Sequence, residues 1–249
     1  MGNLACGFGS IIMSGTARVL GGDQQNKGLM EAVWLIILAA FFDFLDGLVA
    51  RFSKSYSRFG VELDSLTDIV SFGVAPAVLL VNFSLVSHGN WAWILAFVFL
   101  MAGSFRLARF NLSATLEKKV NFVGLPVPAA AMVIISYILF CYEVWGEIRL
   151  EKFFIIVILA TSVLMVSSIQ FEAMPKFDFT RTKNRIKVLL LFGATIAIMI
   201  NTSLVIFPLA MIYIMYGIIK LLISLFLGDN RHIRPRITRT HKSEKQEEG

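Results

Sequence analysis

The stretch from Asp43 to Pro76, "DFLDGLVARFSKSYSRFGVELDSLTDIVSFGVAP", places four aspartates beside residues that are apolar enough to lie in a lipid bilayer. Asp43 and Asp46 are three residues apart, so they share one face of a helix. The same holds for Asp64 and Asp68, which are four apart. The short loop between the two predicted helices makes them antiparallel neighbours, and all four carboxylates can then converge. Asp43 precedes Arg51, at the basic end of its helix, by about 12 Å, which predicts a cluster at the depth of lipid headgroups.

The composition of the whole chain agrees with a membrane setting. Its 249 residues are 57% hydrophobic and 16% charged, and the mean hydropathy is +0.73. A soluble domain of this length carries more charge, whereas here the apolar residues fall in runs of about 20, the length that crosses a bilayer. We therefore predict an all-α integral membrane protein, a polytopic bundle of about eight transmembrane helices without a removable signal peptide. The predicted spans lie near 3–20, 29–50, 63–86, 91–112, 124–145, 152–171, 188–206 and 208–227, with a turn around Phe207 and Pro208 between the last two.

The distribution of lysine and arginine predicts the orientation of these spans. If the N-terminus is cytoplasmic, the basic residues gather on the cytoplasmic side, and the other side keeps only Lys27, Arg149 and Lys152 in its short loops. Both termini then lie in the cytoplasm of a multi-pass protein of the cell (inner) membrane. The membrane domain is predicted to cover residues 1–228, and residues 229–249 are predicted to form a polar, disordered cytoplasmic tail. The net charge of +6 reflects this topology and anionic lipid, and no nucleic-acid partner is predicted.

The aspartate cluster requires a compensating positive charge, because a lone charge inside a membrane is energetically costly. Carboxylate oxygens together with a substrate phosphate suit Mg²⁺ or Mn²⁺. Two such cations bridged by shared carboxylates can clamp a phosphoryl group during its displacement. Helix capping, or pairing with Arg51 and Arg58, is the alternative explanation. It accounts for one aspartate near a helix end more easily than for four on facing helices.

The spacing D-x2-D-G-x2-A-R-x8-G-x3-D-x3-D runs from Asp43 to Asp68 and resembles the signature of the CDP-alcohol phosphatidyltransferase family at all eight positions. Members of that family are membrane enzymes that move a phosphatidyl group from a CDP-linked lipid to an alcohol and release CMP. The resemblance implies a homodimer and a pair of divalent cations, Mg²⁺ or Mn²⁺, bound by Asp43, Asp46, Asp64 and Asp68. It further implies that Asp68 is the general base. It implies a nucleotide and donor site at Asn3, Asp46, Gly47, Ala50, Arg51 and Gly60.

Further segments resemble the branch of the family whose acceptor is serine. They are "NLACG" (3–7), "ELDSLTDIVSFGVAPA" (62–77), "FRLARFN" (105–111), "GLPVPAA" (124–130) and "LMVSSIQF" (164–171). This resemblance implies that the substrates are CDP-diacylglycerol and L-serine. Arg106 and Arg109 lie near the cytoplasmic end of the fourth span, where they could anchor the helix or bind a donor phosphate or the serine carboxylate.

Two other functions are compatible with parts of the sequence. An enzyme of the same family with glycerol 3-phosphate or inositol phosphate as acceptor would need a basic pocket, which Arg106 and Arg109 could supply. A divalent-cation transporter would also use buried aspartates. However, a transporter typically has polar residues spread over the membrane depth and related halves, whereas these acids cluster at one depth and the sequence shows no repeat.

Overall fold

A computed structural model of the chain describes residues 1–53, 58–83, 91–116, 124–147, 149–167 and 201–227. All regular structure in these ranges is helical, which confirms the predicted all-α class for this part of the chain. The helices are α1 (Gly2–Leu20), α2 (Gly22–Ser53), α3 (Arg58–Asp68), α4 (Ala75–Phe83), α5 (Trp91–Leu116), α6 (Val127–Trp145), α7 (Glu151–Val166) and α8 (Thr202–Leu227). A π-helical segment, Ile69–Val74, joins α3 to α4.

Five helical stretches in the described ranges are long and apolar enough to cross a membrane, and the protein is therefore an α-helical, multi-pass membrane protein. They are Gln24–Val49, Phe59–Asn82, Trp91–Leu112, Val127–Trp145 and Thr202–Ile219. The first four correspond to the second to fifth predicted spans. At 16 residues, α7 is shorter than the roughly 20 residues of a typical span. Residues 188–200 of the seventh predicted span and the predicted tail, 229–249, lie outside the described residues.

The predicted turn around Phe207 and Pro208 is wrong, because α8 continues through both residues. Asn201 caps the start of this helix, with its Oδ1 accepting a hydrogen bond from the Leu204 N–H at 3.1 Å. The helix is thus established before Pro208 is reached. Proline is tolerated inside membrane helices because neighbouring groups can satisfy the backbone carbonyl that it leaves free.

Pro76 gives a physical reason for the π-helical segment before α4. A proline in a helix lacks the N–H for the usual bond to the residue four positions earlier and its ring crowds that carbonyl, here the carbonyl of Phe72. Just before the proline, the Ala75 N–H bonds to Val70, five residues earlier, and this wider turn accommodates the ring. Single π turns of this kind occur often at functional sites. This one directly follows Asp68, a predicted site residue.

Small residues allow α1 to pack closely against the π-helical segment. Gly7 is buried, and a Cβ atom placed on it would lie 2.6 Å from Ser71 Cα and still closer to Ser71 Oγ. The Ser71 hydroxyl donates a 3.0 Å hydrogen bond to the main-chain oxygen of Asn3. Small-residue contacts and hydroxyl bonds of this type are the usual means by which membrane helices associate. They bring the beginning of α1 next to Asp68.

We expect Gly7→Ala to lower the melting temperature of the detergent-solubilised protein, because the added methyl group overlaps the Ser71 backbone. Overpacking of this kind costs about 1–3 kcal/mol, which outweighs the higher helix propensity of alanine. Gly15→Ala is the matched control, because a Cβ atom there meets no described atom within 4 Å. Gel-filtration recovery after heating measures the difference. Equal melting temperatures for the two variants would contradict the close contact.

Candidate active site

Three of the predicted aspartates meet at one point. One carboxylate oxygen from each of Asp43, Asp64 and Asp68 lies within 4.8 Å of the other two, and the Asp43 and Asp68 side chains contact each other directly. Asp43 belongs to α2, whereas the other two lie one turn apart at the end of α3. Two carboxylates in contact repel each other unless a cation or a proton stands between them. Oxygen ligands at these separations suit a hard divalent cation, which binds oxygen at about 2.0–2.6 Å.

The fourth predicted aspartate, Asp46, lies one helical turn beyond Asp43 and outside this group of three. Its side chain is exposed, and its Oδ2 is 3.1 Å from the amino group of Met1. The structure therefore brings three of the four carboxylates within 4.8 Å of one another, and Asp46 lies near enough to repel the charges of Asp43 and Asp64. The direct partner of Asp46 here is an ammonium group.

Asn3 connects α1 to the aspartate group. Its Nδ2 donates a 3.2 Å hydrogen bond to Asp68 Oδ1, and the residue is only 2% exposed. Its backbone is held in place by Ser71, as described above. Within the described part of the chain, the buried Oδ1 of Asn3 has no hydrogen-bond partner. An unpaired buried oxygen is costly, so this atom is available to a donor group that approaches Asp68.

A cleft of about 770 Å³ opens over the three aspartates. Its walls come from α2, α3, α5 and the start of α6, and its volume is typical of sites for small ligands and cofactors. The lining residues are Ala40, Asp43, Phe44, Gly47, Leu48, Val61, Asp64, Ser65, Asp68, Arg106, Leu107, Phe110, Pro126 and Pro128. The cleft is thus acidic at one end, apolar along most of its walls, and provided with a single arginine among the described lining residues.

The residues predicted for the donor site fall into two groups. Gly47 lines the cleft, and a Cβ atom placed there would meet none of the described atoms within 4 Å. This glycine therefore leaves open space next to Asp43. Gly60 is exposed in the first turn of α3. Ala50 and Arg51 belong to the last turns of α2, and their side chains lie outside what the structure describes.

Arg106 projects into the cleft from α5. It is only 6% exposed, and Asp68 is near enough to attract its charge. Its Nε–H has no partner among the described residues. A buried guanidinium with an unused donor is suited to a planar, two-oxygen anion such as a carboxylate or phosphate. The structure thus separates Arg106 from Arg109, which has a different environment.

Arg109 binds the C-terminal end of α7. Its Nη1 donates to the Val166 carbonyl at 3.0 Å, and its Nη2 donates to the Ser167 carbonyl at 3.0 Å and, more weakly, to Met165 at 3.5 Å. The last carbonyls of a helix lack partners within the helix. They carry partial negative charge, which a cation stabilises. The guanidinium of Arg109 therefore acts as a cap on α7.

Gly124 and Leu125 complete the same junction. Gly124 has φ = 81°, and a Cβ atom there would lie 2.9 Å from Arg109 Nη2 and would overlap the Met165 carbonyl oxygen, so only glycine fits. The Leu125 N–H donates to the Leu164 carbonyl at 3.0 Å. The segments "FRLARFN", "GLPVPAA" and "LMVSSIQF" thus meet at one place. This contact ties Leu125, the residue before the cleft-lining Pro126, to α7.

Sequence reasoning did not identify several residues of the cleft, among them Ser65, Phe110, Pro126 and Pro128. All four lie within or beside the quoted segments, which were the available signal. None of them carries a charge or occupies a fixed position of the aspartate motif, and these were the two features that indicated site residues.

The chain belongs to the CDP-alcohol phosphatidyltransferase family, whose family model matches residues 1–164. This confirms the resemblance found in the aspartate motif. A CDP-diacylglycerol–serine O-phosphatidyltransferase of Helicobacter pylori is 32% identical over 205 residues, covering 80% of this chain and 84% of the relative. A Methanocaldococcus jannaschii protein of the same name is 37% identical over 192 residues, covering 77% and 85%. An archaetidylserine synthase of Methanothermobacter thermautotrophicus is 36% identical over 178 residues, covering 71% and 67%.

We expect Arg109→Ala to lower the apparent melting temperature by several degrees. The substitution leaves the last carbonyls of α7 without their cationic cap, a loss of at least about 1 kcal/mol. Arg149→Ala is the control, because Arg149 forms an exposed pair with Glu147 at 3.1 Å, and such pairs contribute little. Thermal unfolding in one detergent measures both. If Arg109→Ala and the wild type have the same melting temperature, the guanidinium does not stabilise the end of α7.

Proposed function

We propose that this protein is a phosphatidylserine synthase that transfers the phosphatidyl group of CDP-diacylglycerol to L-serine and releases CMP. The observation that carries the proposal is the group of three carboxylates at the end of a cleft that also holds a buried arginine, in a chain of the CDP-alcohol phosphatidyltransferase family. The acceptor is supported by the relatives, because those at 32% and 37% identity bear serine in their names.

We further propose that two divalent cations, Mg²⁺ or Mn²⁺, bind at Asp43, Asp46, Asp64 and Asp68. The donor set fits, because it consists of carboxylate oxygens of which three converge within 4.8 Å. Bound there, the cations would neutralise charge on the diphosphate and on the departing CMP. For Asp46 to join the group, its carboxylate must exchange the amino group of Met1 for a cation.

In this proposal Asp68 is the general base. A hydroxyl group is a poor nucleophile unless a positioned base takes its proton as the new bond forms. The hydroxyl oxygen of serine would bond to the phosphorus of the phosphatidyl group as the bond from that phosphorus to the CMP oxygen breaks, and the proton would pass to Asp68. The hydrogen bond from Asn3 holds this carboxylate in position.

The remaining groups of the cleft are assigned to the two substrates. The nucleotide and donor site consists of Asn3, Asp46, Gly47, Ala50, Arg51 and Gly60, of which Gly47 supplies open space beside the aspartates. Arg106 binds the serine carboxylate or a donor phosphate. Arg109 contributes through its hold on α7, because its guanidinium is already committed to three carbonyl oxygens. A phosphate-bearing acceptor, glycerol 3-phosphate or inositol phosphate, is the second candidate, since Arg106 suits a phosphate equally well.

The proposed location is the cell (inner) membrane, which the chain crosses eight times. Both termini and the active site lie on the cytoplasmic side. Residues 1–228 form the membrane domain, and residues 229–249 form a polar tail. A homodimer is part of this proposal. The basic loops support the orientation. Molecular mass measured in nanodiscs tests the dimer, and a monomeric mass would exclude it.

The acceptor is tested by CMP release from CDP-diacylglycerol with a panel of alcohols. We expect L-serine to stimulate release, and glycerol 3-phosphate and inositol phosphate to have little effect. Stimulation by another alcohol alone would retain the family and refute the serine assignment.

The same assay tests the metal proposal. EDTA should abolish CMP release, and Mg²⁺ or Mn²⁺ should restore it, because the carboxylates need cations to hold the diphosphate. Full activity in metal-free buffer would refute the metal proposal.

We expect Asp68→Asn to reduce turnover by about 10²–10⁴-fold, the usual effect of losing a general base. Binding of CDP-diacylglycerol should survive better than in Asp43→Asn, because asparagine at position 68 keeps an oxygen for the metal, whereas Asp43→Asn weakens a proposed metal ligand and leaves the Asp68 carboxylate in place. Equilibrium binding of labelled donor and single-turnover CMP release separate the two effects. If Asp68→Asn turns over at nearly the wild-type rate, another group must accept the proton.

The orientation is tested with single cysteines in a background without Cys6 and Cys141, which are buried. A cysteine at Phe59, at the exposed start of α3, should react with an impermeant maleimide only from the cytoplasmic side. One at the exposed Glu147, after α6, should react only from the outside. Reaction of both from the same side would be incompatible with the proposed topology.

A further inference from the structure

The rim of the cleft contains a chain of three hydrogen-bonded side chains that the assignments above do not use. Ser65 Oγ lies 3.0 Å from Asn111 Oδ1, and Asn111 Nδ2 lies 3.2 Å from Glu62 Oε2. Glu62 is exposed, whereas Ser65 is half-buried and lines the cleft. The chain therefore connects the protein surface to the wall of the proposed active site.

The chemistry of the three groups determines the direction of both hydrogen bonds. A carboxylate only accepts, so Glu62 requires the amide nitrogen of Asn111 on its side. The amide oxygen of Asn111 is then turned toward Ser65. Because this oxygen also only accepts, the Ser65 hydroxyl must donate its single proton to it. The lone pairs of Ser65 Oγ remain for a molecule in the cleft, toward which Ser65 is a hydrogen-bond acceptor.

Ser65 stands one helical turn from the proposed base. Glu62, Ser65 and Asp68 follow each other on α3 at intervals of three residues, which places them along one side of the helix. Side chains at this spacing have Cβ atoms about 5–6 Å apart. A molecule whose hydroxyl group meets Asp68 therefore brings a neighbouring polar group to Ser65. In serine, the hydroxyl and ammonium groups are borne by adjacent carbon atoms.

We propose that Ser65, with its proton held by Asn111 and Glu62, binds the ammonium group of the amino-acid acceptor and selects serine over acceptors that lack an amino group. This assignment rests on the proposed function and deepens it. An ammonium group has donors only, which matches an oxygen that can only accept. The exposed carboxylate of Glu62 adds negative charge at the rim, which attracts a cation approaching from solvent. Arg106, on α5, receives the carboxylate of the same molecule.

The test compares the steady-state kinetics of wild-type protein and Ser65→Ala in mixed micelles of detergent and CDP-diacylglycerol with Mn²⁺. We expect the KM for L-serine to rise by about tenfold or more, because a hydrogen bond to a charged group is lost. The KM for CDP-diacylglycerol should stay unchanged. The preference for L-serine over 3-hydroxypropionate, which is serine without its amino group, should fall by the same factor.

Two further variants make the test independent of how Ser65→Ala folds. Ser104→Ala is the matched control, because its hydroxyl donates to the Leu100 carbonyl of its own helix, and it should leave both KM values unchanged. Asn111→Ala removes the partner that holds the Ser65 proton. It should raise the KM for L-serine in the same direction, and the double variant should be less than additive because both side chains act through one contact.

Several results would overturn the assignment. An unchanged KM for L-serine in both Ser65→Ala and Asn111→Ala would show that these two side chains do not contribute to binding of the acceptor. A rise in the KM for CDP-diacylglycerol alone would assign Ser65 to the hydroxyl groups of the donor sugar. Wild-type turnover with L-serine is measured first. A wild-type protein that uses only acceptors without an amino group overturns the proposed function as well. Transfer to serine by the wild type, together with an unchanged KM for L-serine in the variants, contradicts the role of Ser65 alone.

Discussion

Carboxylates that are held close together repel each other, and those that are partly buried also lose some of the water that would screen them. Asp43, Asp64 and Asp68 are held in this way by α2 and α3. The surrounding structure compensates with donors and positive charge, since Asn3 supplies an N–H and Arg106 a nearby guanidinium. Four helices, α1, α2, α3 and α5, therefore contribute side chains to the same point. The same repulsion makes the group receptive to a divalent cation, so the feature that strains the folded state also supports the proposed chemistry.

Close packing of helices is the second condition for this arrangement. A side chain on α1 reaches Asp68 only because Gly7 lets that helix approach Ser71, and the wall of the cleft reaches α7 only because Gly124 lets the Arg109 guanidinium and the α7 carbonyls come close. In both places the glycine lies against a polar side chain that makes a hydrogen bond, Ser71 next to Gly7 and Arg109 next to Gly124. Small residues therefore determine which polar contacts the helices can form.

The aspartate group could be predicted from the sequence because it depends on helical periodicity, which is local. Spacings of three and four residues place carboxylates on one face wherever the helix lies. The detailed geometry could not be predicted, since Asp46 contacts the amino group of Met1, 45 residues away along the chain, a contact that helical periodicity does not indicate.

The roles of Arg106 and Arg109 show the same limit. Both lie among apolar residues on α5, three positions apart, yet one projects into the cleft and the other caps a helix that begins about 40 residues later. Only the packing of α7 against α5 distinguishes them. Pro208 is a different case, because a proline between two apolar runs is typical of a turn. A membrane helix with an asparagine cap tolerates it instead.

The π-helical segment after Asp68 has a consequence for how the chain can vary in length. A helix turns by about 100° per residue, and the wide turn at Ile69–Val74 takes up one residue more than a regular helix would. Removing one residue there would therefore restore a regular helix and keep α3 in nearly the same rotation relative to α4. The same deletion in a regular turn of α4 would instead rotate α3 by roughly 100° relative to the rest of α4, and the Asp64 and Asp68 carboxylates would face away from Asp43. The position of a single-residue deletion, with every charged side chain retained, thus decides whether the acidic group stays together.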